Sequence, residues 1–197
     1  MQLALPRKMC RTRKNRIVKL IQEVGDRANL VKGIQNPSPF EVIITDFTWI
    51  YYNQGKQRAV LIAYEDYAGK MIYGYALGLS PNTELALKSW RKTRETLKGL
   101  GARLEGCIVH QDQDSVFTGY DYVRQMVIDD NVSLSYARKG TPGENAAKES
   151  FISHFKVENR DIFLKVKTFE ELKRIVEGRI NYYNEKRRHQ TLGYLTS

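Results

Sequence analysis

The sequence contains no apolar stretch that approaches the roughly 20 residues needed to span a bilayer, and no apolar segment follows its basic N-terminus to form a signal peptide. We therefore expect a cytoplasmic protein with no membrane partner. Cysteine is also scarce, because only Cys10 and Cys107 are present, far apart and without a CxxC pattern. The chain thus lacks the pattern of a disulfide framework or of a zinc site, and we interpret Cys107 as a small buried apolar residue.

Acidic side chains are missing from residues 1–19, which carry seven cations, including Arg11, Arg13 and Lys14. The whole chain has a formal charge of +10 and a pI of about 9.6, which favours a polyanionic partner, nucleic acid first and an anionic membrane second. We interpret residues 1–39 as a basic arm and linker that ends in the loop signal Asn36-Pro-Ser-Pro39. The folded core is expected at residues 40–197.

Three acidic residues have distinctive surroundings. Asp46 lies inside the apolar, β-branched run of residues 42–50, where an unpaired carboxylate is costly to desolvate unless a cation or hydrogen bonds compensate. Asp112 ends a second strand-like run, and Glu149 lies where a helix is expected to begin. Hard oxygen ligands from separate elements suit Mg²⁺ or Mn²⁺, so these three carboxylates are candidate metal ligands.

The order of predicted elements bears on whether these acids can meet. Apolar segments separated by turn signals predict three antiparallel strands, and strands and helices then alternate. The predicted strands are 40–52, 58–67, 71–77, 104–112 and 132–137, and the predicted helices are 83–100, 120–128, 144–158 and 169–186. This order resembles the ribonuclease-H-like architecture, an α/β fold with a mixed five-stranded sheet flanked by helices. In that fold strand four pairs beside strand one, which would make Asp46 and Asp112 neighbours and let the helix that carries Glu149 pack across the sheet.

Four sequence blocks resemble a known family. They are Thr45-Asp-Phe-Thr48, His110-Gln-Asp-Gln-Asp-Ser-Val-Phe-Thr118, Gly140-Thr-Pro-Gly-Glu-Asn-Ala-Ala-Lys-Glu-Ser-Phe151 and Tyr183-Asn-Glu-Lys-Arg-Arg-His-Gln-Thr-Leu-Gly-Tyr194. Their order over residues 40–196 is similar to that of insertion-sequence transposases, which belong to the DDE superfamily together with retroviral integrases. The resemblance implies an integrase-type catalytic core that cleaves DNA strands and joins them during transposition.

The resemblance also implies roles for particular residues. Asp46, Asp112 and Glu149 would be the three catalytic acids and would bind Mg²⁺ or Mn²⁺, with two ions expected. The second acid is open to an alternative, because Asp114 stands where the family usually has glycine. His110 is either a catalytic group or a hydrogen-bonded structural residue, and we favour the second.

Further residues are candidates for DNA contact. Asn145 and Lys156 lie near Glu149 at helical spacing, and Arg187 and Arg188 form a basic cluster close to the C-terminus. The family also implies transposon ends and target DNA as partners and a homo-oligomer assembled on them. A helix-turn-helix region usually precedes the family's core, and we expect a separately encoded subunit to supply it.

Two other functions are compatible with the same acids. A ribonuclease-H-like nuclease would use the same metal chemistry, but the third and fourth blocks do not favour it. A truncated or repurposed DNA-binding remnant would keep the acids without transposition activity. Metal-dependent strand transfer distinguishes the transposase from both.

Overall fold

The computed structural model of the chain describes residues 16–137 and 146–197, except the side chains of Asp26, of residues 146–150 and of Ser153. Four predicted DNA contacts, Arg11, Arg13, Lys14 and Asn145, lie outside the described residues. Only the backbone of Glu149 is described. Within the described part of the chain, no helix is long and apolar enough to cross a membrane.

The first half of the fold is an antiparallel meander of β1 (Val42–Tyr52), β2 (Gln57–Asp66) and β3 (Ile72–Gly78). All three strands lie within two residues of the predicted bounds. The turn between β1 and β2 has positive φ angles at Asn53, Gln54 and Gly55 (51°, 56° and 81°), a conformation that asparagine and glycine tolerate well.

The second half begins with α2 (Thr83–Gly99), whose N-terminus is capped by the side chain of Asn82. The chain then forms β4 (Ile108–Gln111), α3 (Tyr120–Arg124) with a π-helical turn at Gln125–Asp129, and β5 (Ser133–Tyr136). The prediction for β4 was too long, since residues 104–107 form a tight turn in which the Cys107 amide donates to the Leu104 carbonyl at 3.0 Å.

The five strands form one sheet in the order β3-β2-β1-β4-β5. β1 pairs antiparallel with β2 and parallel with β4, and β4 pairs parallel with β5. The mixed five-stranded sheet expected from the sequence is therefore present, with strand four beside strand one.

Helices cover both faces of this sheet. On one face, α2 and α3 contribute Trp90, Leu97 and Tyr122 to a core that also includes Ile43 and Val109. The opposite face carries α4 (Ala146–Lys165) and α5 (Phe169–Glu185). Their buried residues, among them Phe151, Phe155, Leu172 and Tyr183, pack against Ile50, Leu61 and Ala63 of the sheet. Helix α4 continues seven residues beyond its predicted end, because Phe163 belongs to this core.

The segment before the sheet differs from the predicted arm and linker. Residues Arg16–Val24 form α1, and a 3₁₀ turn follows at Gly25–Ala28. The spacing of Ile17, Ile21 and Val24 gives this helix an apolar stripe, and Ile21 is 6% exposed. The backbone amide of Leu30 donates to Ser135 in β5 at 2.9 Å, so folded structure begins well before residue 40.

Candidate metal centre

The register between β1 and β4 bears on the relative positions of Asp46 and Asp112. Val42, Ile43 and Ile44 of β1 pair with Ile108, Val109 and His110 of β4, a constant offset of 66 (108 − 42). Asp46 and Asp112 have the same offset (112 − 46), two residues beyond the last pair. Adjacent strands lie about 4.8 Å apart. Extending this register by two residues aligns the positions of Asp46 and Asp112 at the C-terminal end of β4.

Asp46 lies on the sheet face that α4 and α5 cover. Side chains alternate along a strand, and Ile43 contacts the core on the α2 side while Ile50 and Tyr52 contact the core on the α4 side. Asp46 is an even number of residues from Ile50, so its side chain lies on the same face of the sheet as that of Ile50. It is half-buried, and its Oδ1 accepts the Phe47 amide at 2.8 Å. The carboxylate is less desolvated than the apolar run alone suggested.

Asp112 and Asp114 differ in what their carboxylates do. Asp112 is half-buried just after β4, and its Oδ1 accepts the Asp114 amide at 3.0 Å. The Asp114 Oδ1 accepts the Val116 amide at 2.9 Å and the Ser115 hydroxyl at 3.2 Å. Asp114 thus stabilises the turn after β4, whereas Asp112 shares the register of Asp46. This geometry favours Asp112 over Asp114 as the partner of Asp46.

The backbone of Glu149 lies in the first turn of α4, two residues before Phe151. Phe151 is 3% exposed and packs in the core on the same sheet face as Asp46. The structure therefore brings the element that carries the third acid to the face of the first. Among the described side chains no group of three or more His, Cys, Asp or Glu residues could hold a metal ion, and the Glu149 side chain lies outside that set.

His110 is part of the hydrogen-bonded structure of the sheet. Its Nδ1 lies 2.9 Å from the Ser135 hydroxyl, which also accepts the Leu30 amide. His110 is 3% exposed. These contacts join β4, β5 and the segment after α1, as expected for a structural histidine.

The predicted DNA contacts in the described region have different surroundings. Lys156 and Arg188 are exposed. The guanidinium of Arg187 instead pairs with Glu158 of α4, with Nη2 to Oε1 at 2.8 Å and Nε to the two carboxylate oxygens at 3.2 and 3.3 Å. Lys156 and Arg188 stay predictions for DNA contact, and Arg187 is engaged within the fold.

Sequence reasoning missed one buried acid near this site. Glu65 of β2 is 4% exposed and pairs across the sheet with Ile44, two residues from Asp46. Burial raises the pKa of Glu65 to about 8, partly opposed by the Lys70 charge and the hydrogen bond from Tyr183. Apolar residues precede Glu65 in the sequence, but Asp66 follows it, so no local pattern distinguished Glu65 from an acid at the end of a strand.

Comparisons with known proteins agree with this fold. The family model described as "Integrase core domain" matches residues 130–196. An uncharacterized transposase-like protein of Haemophilus influenzae is 31% identical over 182 residues, covering 90% of this chain and 78% of that protein. The transposase for insertion sequence element IS904 of Lactococcus lactis is 28% identical over 177 residues, and the match covers 85% of this chain but only 64% of the transposase.

Among solved structures, the catalytic core domain of HTLV-2 integrase in complex with magnesium, in a trimeric form, superposes with a TM-score of 0.56 at 12% identity. The match covers 81% of this chain and 95% of that domain. The fold and the sequence relatives together define a polynucleotidyl transferase of ribonuclease-H-like architecture. The chain belongs to the DDE transposase and integrase family and forms its catalytic core.

Proposed function

We propose that this core cleaves DNA at transposon ends and joins the freed ends to target DNA, using Asp46, Asp112 and Glu149 as its catalytic acids. The observation that carries the proposal is the parallel register of β1 and β4, whose extension by two residues aligns Asp46 with Asp112 on the face that α4 covers. The relatives' names, which describe transposases, support the substrate class. The match spans 64% of the IS904 transposase, and we propose that a helix-turn-helix subunit recognises the specific ends.

The donor set fits a divalent metal. Both described carboxylates are half-buried and reachable, and carboxylate oxygens are the ligands that Mg²⁺ and Mn²⁺ prefer. The HTLV-2 integrase core was solved with magnesium, which supports the same ion for this chain. We propose that Asp46, Asp112 and Glu149 would hold two such ions, which would supply Lewis-acid chemistry at the phosphate.

In the proposed reaction these residues act by position and charge. Bound divalent ions would lower the pKa of the attacking water or 3′-hydroxyl and offset the charge on the leaving oxygen. Asp46 on β1 and Asp112 just after β4 would hold the cations, through which the scissile phosphate would be positioned at the end of β4. The exposed Lys156 and Arg188 would hold the flanking DNA backbone through charge, without reading its sequence. Assembly as a homo-oligomer is proposed from the trimeric form of the HTLV-2 core.

The test compares DNA nicking and strand transfer by the wild type with those of Asp46→Asn, Asp112→Asn and Glu149→Gln, in Mg²⁺ and in Mn²⁺. Each substitution removes ligand charge but little volume, so each should abolish both reactions while leaving DNA affinity in metal-free buffer unchanged. Asp161→Asn, on the exposed surface of α4, is the matched control and should retain activity.

The outcomes separate the candidate functions. Nicking without strand transfer would identify a nuclease instead. DNA binding with neither reaction, in either metal, would identify a remnant that has lost catalysis. Full activity of Asp112→Asn with loss of activity in Asp114→Asn would move the second acid to Asp114.

A further inference from the structure

Tyr183 of α5 connects the sheet to α4. Its hydroxyl donates to Glu65 Oε1 of β2 at 3.1 Å, and burial raises the Tyr183 pKa, so the hydroxyl stays a donor. Its ring meets Phe151 of α4 edge-on, with centroids 4.8 Å apart and planes at 75°. The ring also meets His189 edge-on, with centroids 4.8 Å apart. One side chain therefore contacts the strand beside β1 and the helix that carries Glu149.

Arg187 makes a second connection to α4 through its bidentate pair with Glu158. Its Nη1 donates to His189 Nδ1 at 3.2 Å, and its guanidinium lies 5.4 Å from the centre of the Tyr183 ring. An arginine can only donate, so Nδ1 must be the unprotonated nitrogen of His189. Burial, followed by the charge of Arg187, lowers the His189 pKa, which is consistent with a neutral ring.

The two connections hold the same side of α4. Phe151 and Glu158 are seven residues apart, about two helical turns or 10 Å along the axis, and therefore lie on one stripe of the helix. Glu149 is two residues, about 3 Å along the axis, from Phe151. Movement of α4 at Phe151 must therefore move the backbone of Glu149 with it.

We propose that Tyr183 and Arg187 are positioning residues that hold α4 at Phe151 and at Glu158 and thereby set the distance between the backbone of Glu149 and Asp46. The proposal rests on the proposed role of Glu149 as a metal ligand. It assigns Arg187 to metal-site geometry and not to the DNA backbone. Its neighbour Arg188, exposed and one residue away, remains available to DNA.

The experiment uses the full chain with Arg187→Gln, Glu158→Gln, Tyr183→Phe and the matched control Arg188→Gln. The Mg²⁺ concentration for half-maximal nicking and the affinity for Mn²⁺ are measured, together with DNA affinity in metal-free buffer. Substituting residues that orient metal ligands commonly costs about 10-fold or more in metal affinity. We expect a rise of about 10-fold in the Mg²⁺ requirement for Arg187→Gln and for Glu158→Gln, and recovery of the nicking rate at high Mg²⁺.

The double variant Arg187→Gln/Glu158→Gln should resemble either single variant, because both remove the same contact. Tyr183→Phe keeps the ring and loses the hydroxyl, so it tests the connection to Glu65 without a packing defect. Hydrogen exchange of the α4 amides around Phe151 should accelerate in Arg187→Gln, in Glu158→Gln, in their double variant and in Tyr183→Phe. In Arg188→Gln, DNA affinity should fall while the Mg²⁺ requirement stays constant.

Several results would overturn the proposal. Arg187→Gln could weaken DNA binding and leave the Mg²⁺ requirement unchanged, as a direct phosphate contact would. Unchanged metal affinity and unchanged exchange in α4 would also refute it, even if the variants melted earlier. If the wild type bound no Mn²⁺ and nicked no DNA, the proposed function would fail first. If Asp46→Asn lost activity and Arg187→Gln behaved as wild type, only the positioning role would fail.

Discussion

Replacing Glu65 by glutamine should make the protein more stable at neutral and alkaline pH. Glu65 is 4% exposed, and burial raises its pKa from the ordinary value of 4.5 to about 8. In the folded state the carboxyl therefore keeps its proton over a pH range in which the unfolded chain releases it. A carboxyl with a raised folded-state pKa loses its contribution to stability as pH rises from about 4.5 to about 8.

The size of the effect follows from the shift. Each pKa unit corresponds to about 1.4 kcal/mol, so the wild type should lose about 3 kcal/mol by pH 7 and about 5 kcal/mol near pH 9 from this group alone. Glutamine does not titrate and can still accept the Tyr183 hydroxyl. The free energy of unfolding of Glu65→Gln should therefore equal that of the wild type near pH 4.5 and exceed it progressively above.

Urea unfolding of the two proteins from pH 4.5 to pH 9, without metal, measures this difference. Glu177→Gln, which removes an exposed carboxylate from α5, is the control and should follow the wild type at every pH. A constant difference between Glu65→Gln and the wild type over this range would show that Glu65 is ionised in the folded protein. The account of its burial would then be wrong.

Three further predictions concern the core and the N-terminus. The Phe155 side chain is 1% exposed and packs between α4 and the sheet. Phe155→Ala should therefore lower the free energy of unfolding, measured in urea titrations, by about 3–5 kcal/mol. A decrease below about 1 kcal/mol would contradict that packing. Trp90→Phe replaces the buried indole by a smaller phenyl ring and removes the 2.8 Å hydrogen bond to the buried Asp130. Calorimetry should show a loss of at least about 1–3 kcal/mol, and no change would mean that this bond contributes little. Deleting residues 1–15, which carry five of the N-terminal cations, should flatten the slope of log DNA affinity against log salt by up to about 0.9 per lost phosphate contact, and an unchanged slope would exclude them from the interface.

Much of the fold could be predicted because local signals agreed with it. The meander was predicted accurately because the strand-like segments are separated by turn residues, and those between β1 and β2 adopt positive φ angles. The C-terminal end of α4 was not predicted, because the polar residues around Glu158 interrupt the apolar spacing that is typical of a helix. The Val166 and Leu164 carbonyls accept the amides of Asn53 and Gln54, both at 2.7 Å. The C-terminal end of α4 therefore lies against the β1–β2 turn. These contacts join residues that are far apart in the sequence, so no local pattern could predict them.

The candidate site could be predicted only in part. Asp46 and Asp112 were identified by their local strings, but their proximity depends on parallel pairing between strands 66 residues apart (108 − 42). The pairs Tyr183–Glu65 and Arg187–Glu158, separated by 118 and 29 residues, had no local signal. No sequence pattern indicated that Arg187 is paired, because its partner Glu158 is on α4 and comes close only when α4 packs near the C-terminal segment.

The central claim is that Asp46 and Asp112 hold one divalent metal site between them. Titration of the protein with Mn²⁺, followed by calorimetry and by the electron paramagnetic resonance of free Mn²⁺, tests it without any DNA. The wild type and Asp161→Asn should bind the ion, and Asp46→Asn and Asp112→Asn should each bind it at least about 10-fold more weakly. Equal Mn²⁺ binding by the wild type, Asp46→Asn and Asp112→Asn would contradict the claim directly.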